Sequence, residues 1–159
     1  MVTGIVIPAD ESEVVYQSEF NDLRGYQQAV GGHIEAIDLD QPPVTLFAND
    51  EAKLLQLPVN RRATLLWWLT TPLFRHQDVI CGNTVLVGQP NAEGETQNLA
   101  QDVRRLLLDR AVYRVEVQTG SDSWNGNQLR FEDYFEAAAW GLSLADRWTL
   151  VTGVRVVGA

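Results

Sequence analysis

Short β-branched segments that end at turn residues constrain this chain more than any other feature of its sequence. Val2–Ile7 ends at a proline, Val44–Ala48 at an Asn-Asp pair and Thr84–Val87 at a glycine. Such runs between turn signals are typical of short strands. With a half-buried segment at His33–Leu39, they predict an N-terminal mixed or antiparallel sheet of about five strands.

Helix and turn signals separate these strands. We expect Asn21 to cap a short helix over Asp22–Val30, which Gly31-Gly32 ends. Asn60 has the same capping chemistry before the apolar segment that runs to Leu69, which the pattern leaves open as a helix or an inserted arm.

Two hairpins are also expected. Glu13–Tyr16 would pair with the first strand, and a tight turn at Gly82-Asn83 would join Val79–Cys81 to the strand that follows.

The segment Gly88–Gly94 (GQPNAEG) is the clearest linker. It divides the chain into an N-terminal α+β domain, residues 1–90, and a C-terminal α-β-α-β unit, residues 91–159, packed on the first. The expected elements of the second unit are helices over Thr96–Asp109 and Phe131–Trp148 and strands over Val112–Val117 and Leu150–Val157. We expect the last three to form a β-α-β half-unit, and the fold class is α+β.

Composition excludes several classes of function. The chain has 159 residues, 21 acidic against 12 basic, and a net charge of −9. Direct binding to duplex nucleic acid requires a basic face, so we do not expect it. No apolar run approaches the roughly 20 residues of a membrane span, and residues 1–20 do not have the pattern of a signal peptide. A single cysteine excludes an internal disulfide and fits a reducing cytoplasm.

Four motifs follow one another in the first part of the chain: VGGHIE (30–35), LFANDE (46–51), LPVNR (57–61) and DVICGN (78–83). In this order they resemble the domain of unknown function family 3846, over roughly residues 1–100. That family is common in bacteriophages, plasmids and other mobile elements, and a distant relation to ArdA-type antirestriction proteins has been suggested for it. The resemblance therefore implies a mobile-element accessory protein and hints at an antagonist of host defence.

Acidic residues dominate the charge of the N-terminal part. From Asp10 to Glu51 there are ten acidic groups and one arginine. Carboxylates spaced like phosphates, about 7 Å apart, could occupy the DNA groove of a host protein. The candidate interaction residues are Glu35, Asp38, Asp40, Asp50 and Glu51. The other interpretation is a solvated acidic surface without a partner.

A second hypothesis is a binding site for a small nucleotide, such as a nucleotide immune signal. Guanidinium groups beside aromatic faces bind nucleotides. The candidate residues are Arg61, Arg62, Trp67, Trp68 and Arg75. The same pattern also fits a core helix whose tryptophans pack inward and whose arginines extend to solvent.

Catalytic and metal signals are weak. Cys81 and His76 could form a nucleophile and its base, and His33 and Glu35 share a strand face as two metal ligands do. A buried core cysteine and an exposed strand face explain these residues more simply. We therefore expect no enzyme, no metal and no cofactor, and a cytoplasmic protein that binds a host protein. An edge strand could also pair with a second copy of the chain.

Overall fold

The computed structural model describes residues 1–159. It contains eight strands and four α-helices. The strands are β1 (Val2–Ile7), β2 (Tyr16–Phe20), β3 (Ile34–Leu39), β4 (Val44–Asn49), β5 (Thr84–Gly88), β6 (Tyr113–Gln118), β7 (Asn125–Gly126) and β8 (Gly153–Gly158). The helices are α1 (Leu23–Val30), α2 (Arg61–Thr70), α3 (Gln101–Arg104) and α4 (Tyr134–Arg147). A 3₁₀ turn (Pro72–Phe74) follows α2, and a π-helical turn (Arg105–Asp109) follows α3.

The first sheet has the strand order β2-β1-β5-β4-β3, and every neighbouring pair is antiparallel. Its two edges are therefore β2 and β3. Side chains alternate between the faces of a strand, so Ile5, Leu46 and Leu86 share one face while Phe47 and Val85 lie on the other.

The second sheet has the order β7-β6-β8 and is also antiparallel. The long helix α4 lies between β6 and β8 in the chain and packs on both. A β-α-β unit joins parallel strands. The prediction of a β-α-β half-unit was therefore wrong in its strand direction.

Helices cover both faces of the first sheet. Helix α1 packs on one face through Tyr26 and Val30, in a cluster of seven buried residues. The other face belongs to a cluster of 25 buried residues, which also contains Ala63 and Leu66 of α2 and Phe135 and Ala138 of α4. The second sheet closes the same cluster with residues such as Val115 of β6 and Val154 of β8.

The opening hairpin uses a later segment than the sequence predicted. Its second strand is β2, with Val2 opposite Phe20 and Val6 opposite Tyr16. Because the strand runs to Phe20, the helix begins one residue later than expected and its cap is Asp22, whose carboxylate accepts the Gly25 N–H at 3.2 Å. The prediction of Asn21 as the cap was wrong, whereas Gly31 ends the helix in the left-handed region, at φ 81°, as expected.

The hairpin predicted at Gly82-Asn83 does not form. Cys81 makes an isolated bridge with Val59, and the Gly82 N–H donates to the Pro58 carbonyl at 2.7 Å. The Asn83 side chain accepts the Ala9 N–H at 2.9 Å. The segment before β5 therefore pairs with the chain that leads into α2 and not with β5.

The helix predicted over Thr96–Asp109 is much shorter in the structure. The Leu99 N–H donates to the Thr3 carbonyl at 2.9 Å, so this part of the chain is bound to β1. Only Gln101–Arg104 is α-helical. The π-helical turn follows, and the Leu106 carbonyl within it accepts the Tyr113 hydroxyl at 2.6 Å.

The predicted α+β fold class is confirmed, with an N-terminal five-stranded sheet. The elements after it follow in the order α-β-β-α-β, because the short strand β7 lies between β6 and α4. The division into domains 1–90 and 91–159 stays a prediction.

Candidate functional site

Strand β3 forms one edge of the first sheet and carries two of the candidate carboxylates. Glu35 lies opposite Ala48 and Asp38 opposite Thr45. Glu35 shares its face with Ile37, toward α2, whereas the Asp38 carboxylate lies on the opposite face and accepts the Thr45 hydroxyl at 2.8 Å. Both acidic residues are exposed.

The other three candidate carboxylates lie at the two ends of β3. Asp40 follows the strand, in the turn that leads to β4. The Asp50 N–H donates to the His33 carbonyl at 3.0 Å, which places Asp50 and its neighbour Glu51 beside the beginning of β3. We call Glu35, Asp38, Asp40, Asp50 and Glu51 the acidic edge.

The acidic edge forms no ion pairs, although the Lys53 ammonium, which binds Asp78, lies near enough to Glu35 to interact with its charge. All of its residues are exposed, and none of them takes part in an ion pair. A six-residue strand is about 20 Å long, so the five carboxylates are spread along an edge of about that length. Glu35 and Asp38 lie on opposite faces of β3, so the acidic edge presents carboxylates on both faces of the sheet.

A small pocket of about 240 Å³ lies between the acidic edge and α2. Glu35, Asp50 and Asp78 line it together with Lys53, so three of the four motifs noted above contribute to its wall. Lys53 donates to Asp78, which lowers the pKa of the Asp78 carboxyl and raises the pKa of the Lys53 ammonium. Trp67 also lines this pocket, and its indole N–H has no hydrogen-bond partner.

Two of the three arginines of the nucleotide hypothesis bind other groups within the protein. Arg62 is buried, and its Nη2 donates to the carbonyls of Pro8, Asp10 and Glu13 at 2.7, 3.1 and 2.9 Å. Arg61 bridges Glu11 and Glu136 through ion pairs of 3.1 and 3.2 Å. Both arginines therefore bind the β1–β2 loop, and Arg61 also binds α4.

The remaining three residues of that hypothesis do not line one common pocket. Trp67 stacks on Phe74 at 5.0 Å and lines the small pocket. Trp68 is partly exposed, and its indole N–H donates to the Asp78 carbonyl at 2.8 Å. Arg75 donates to the Trp68 carbonyl through Nε and Nη2, both at 3.2 Å, and lines a different cleft. The structure thus does not bring the five predicted residues together around one ligand.

The two weaker catalytic candidates have different surroundings. His76 pairs with Asp146 at 2.9 Å, and its ring lies 4.8 Å from that of Trp68. Cys81 is buried and lines the small pocket. No three histidine, cysteine or acidic side chains come together in a way that could hold a metal ion.

A larger cleft, of about 730 Å³, lies between the two sheets. Asp40 and Arg75 line it on the side of the first sheet, and Trp124, Tyr134 and Arg155 on the side of the second. Burial lowers the pKa of the Arg75 guanidinium. Sequence reasoning missed the last three residues, because they lie in three separate segments that no local spacing relates.

The comparisons with known proteins give one family. No helix of the structure is long and apolar enough to cross a membrane. No curated protein and no solved structure matches the chain. The model of the family described as Domain of unknown function (DUF3846) matches residues 2–111. This match covers more than half of the chain, including the acidic edge and all four motifs, and the protein therefore belongs to the DUF3846 family.

Proposed function

We propose that this protein is a non-enzymatic accessory protein of a phage or plasmid that binds a host factor in the bacterial cytoplasm. The acidic edge is the binding surface, and the partner presents a basic groove that normally holds DNA. A host restriction enzyme is the kind of partner that this chemistry fits. The protein would then act as an antirestriction DNA mimic.

The observation that supports this proposal is the absence of ion pairs along the acidic edge. Internal ion pairs would leave little field outside the protein, but none of these carboxylates has such a partner. The free carboxylates can therefore attract and orient a basic surface from a distance.

The mechanism is competition for a shared surface. Carboxylates of the acidic edge would take the positions of DNA phosphates against lysine and arginine side chains of the partner. Such a complex releases no product and needs only to exclude DNA. Because the attraction is largely electrostatic, its association rate falls as the salt concentration rises.

The test is a DNA cleavage assay with purified host restriction enzymes and unmodified duplex DNA. The wild-type protein should inhibit cleavage at low salt and much less at high salt. The acidic-edge variant carries Glu35→Gln, Asp38→Asn, Asp40→Asn, Asp50→Asn and Glu51→Gln. We expect it to lose inhibition.

A control variant removes the same number of charges elsewhere: Glu19→Gln, Glu93→Gln, Glu95→Gln, Asp122→Asn and Glu132→Gln. These residues are exposed and form no ion pairs, and we expect this variant to inhibit like the wild type. Equal inhibition by the acidic-edge variant would show that another surface binds the partner. Inhibition through binding of the protein to the DNA itself, seen as a gel shift without enzyme, would also contradict the proposal.

A further inference from the structure

The large cleft between the sheets has the size of a small-molecule site. Its volume of about 730 Å³ falls within the roughly 300–1,000 Å³ that is usual for ligand pockets. The turn between β3 and β4 and the end of α2 form one wall, and β8 forms the other. Polar and apolar side chains share both walls.

Tyr134 supplies an unpaired donor inside this cleft. Its side chain is 4 % exposed and lines the cleft, but no protein group hydrogen-bonds to its hydroxyl. The neighbouring Tyr113, in contrast, donates to the carbonyls of Leu106 and Arg110. The hydroxyl oxygen reaches the solvent of the cleft, where an acceptor atom of a bound molecule can replace water as its hydrogen-bond partner.

Arg75 supplies a positive charge and forms no ion pair, although the Asp146 carboxylate lies near enough to interact with it. Its Nε and Nη2 donate to the neutral carbonyl of Trp68, which leaves Nη1 without a protein partner. These bonds hold the half-buried guanidinium in place. A guanidinium with free N–H groups is well suited to a phosphate oxygen.

Arg155 and Trp124 form a flat surface on the opposite wall. The Arg155 guanidinium lies 4.2 Å from the centroid of the Trp124 ring. Two hydrogen bonds from Nε and Nη2 to the Glu116 carboxylate, at 2.9 and 2.7 Å, fix its orientation. The same carboxylate also pairs with Arg114. A stacked pair of this kind can bind the face of a nucleobase.

Two free carboxylates complete the lining. Asp40 and Asp102 line the cleft, and neither forms an ion pair. Carboxylates are hydrogen-bond acceptors for hydroxyl groups. They also repel additional negative charge, which disfavours a ligand with several phosphates.

We infer that this cleft binds a nucleoside monophosphate. Arg75 and the Tyr134 hydroxyl would bind the phosphate, the two carboxylates would accept the ribose hydroxyls, and the base would lie against the Arg155–Trp124 pair. This site is independent of the proposed function of the acidic edge, except that Asp40 belongs to both.

Isothermal titration with AMP, GMP, CMP and UMP tests the inference. At least one of them should bind with one-to-one stoichiometry, and more tightly than ribose 5-phosphate or inorganic phosphate. Absence of binding by all four would overturn the inference. Ribose 5-phosphate that binds as tightly as the best nucleotide would overturn the assignment of a nucleotide.

Tyr134→Phe is the most informative variant, because it removes only a hydroxyl that has no partner in the protein. It should lower nucleotide affinity about three- to tenfold without lowering the free energy of unfolding. Tyr16→Phe, at an exposed position on β2, is the matched control and should leave affinity unchanged. Unchanged affinity in Tyr134→Phe would place the ligand elsewhere.

Two further variants separate the parts of the ligand. Arg75→Gln should weaken binding of the nucleotide much more than binding of the corresponding nucleoside. Trp124→Ala should weaken both, while Trp148→Ala, at a tryptophan outside the cleft, should weaken neither. If Arg75→Gln reduced the affinities of nucleotide and nucleoside equally, Arg75 would not be the phosphate ligand.

Discussion

The side-chain amide of Asn60 donates a 2.8 Å hydrogen bond to the carbonyl of Ile7, which joins the beginning of α2 to the end of β1. The same nitrogen donates to the Gly82 carbonyl at 2.9 Å, and the amide oxygen accepts the Ala63 N–H at 3.0 Å. Asn60 is completely buried. One side chain therefore holds together β1, the segment before β5 and the helix that separates the two sheets.

Asn60→Ala should lower the free energy of unfolding by about 2–4 kcal/mol. The loss of a helix cap costs about 1 kcal/mol, and the buried carbonyls of Ile7 and Gly82 lose a donor. Asp133→Ala is the control, because Asp133 caps α4 from an exposed position and has no partner in another element. It should cost only about 1 kcal/mol in urea unfolding. Equal losses in the two variants would show that Asn60 acts as a cap alone.

Arg62→Met should lower the free energy of unfolding by about 3 kcal/mol. The substitution removes the buried guanidinium that donates hydrogen bonds to the carbonyls of Pro8, Asp10 and Glu13. The adjacent Arg61→Met should cost at most about 1 kcal/mol, since both of its ion pairs are exposed. Urea unfolding of the two variants measures this difference. A larger loss in Arg61→Met would contradict the structural role given to Arg62.

The acidic-edge variant should be at least as stable as the wild type at low salt. In the wild type the carboxylates of the acidic edge repel one another and have no ion-pair partners. Their replacement by amides therefore relieves this repulsion. Salt screens this repulsion, and the melting temperatures of the two proteins should therefore converge as salt is added. Scanning calorimetry in a salt series measures this trend. A melting temperature well below that of the wild type would mean that these carboxylates have a structural role.

The Lys53–Asp78 pair should make a small, pH-dependent contribution to stability. The hydrogen bond from Lys53 lowers the pKa of Asp78 below its ordinary value of 3.8, and the same bond raises the pKa of Lys53 above 10.5. The contribution of Asp78 is thus present above pH 3.8 and is lost as the pH falls through the lower, folded-state pKa. That of Lys53 is present below pH 10.5 and is lost as the pH rises through its higher, folded-state pKa.

Both side chains of this pair are about half exposed, so we expect Asp78→Asn to cost less than about 1 kcal/mol at neutral pH. Urea unfolding across the acidic range should show the difference in unfolding free energy between variant and wild type shrink below pH 3.8 and disappear below the folded-state pKa of Asp78. A difference that persists unchanged at the lowest pH would assign the effect of the substitution to packing.

Local chemistry predicted part of this fold well. The strands β1, β4 and β5 were found from β-branched residues and the turns that end them. Asn60 was found as a helix cap because its pattern lies within a few residues. The acidic edge was also visible, since its carboxylates lie within a segment of about twenty residues.

Long-range contacts decided the rest. The segment predicted as a helix over Thr96–Asp109 is largely not α-helical, because Leu99 pairs with Thr3 nearly a hundred residues away. Arg62 has the sequence context of a ligand-binding arginine, but the loop after β1 supplies three carbonyls that it binds instead.

The sequence by itself determined the α+β class, the family, the positions of the main strands and the excess of negative charge, because each depends on residue type and near neighbours. Only the tertiary structure decided that β3 is an edge strand, and that Arg75, Trp124, Tyr134 and Arg155 line one cleft. Those residues lie on different elements, and packing of α2 and α4 between two sheets is what brings the elements together.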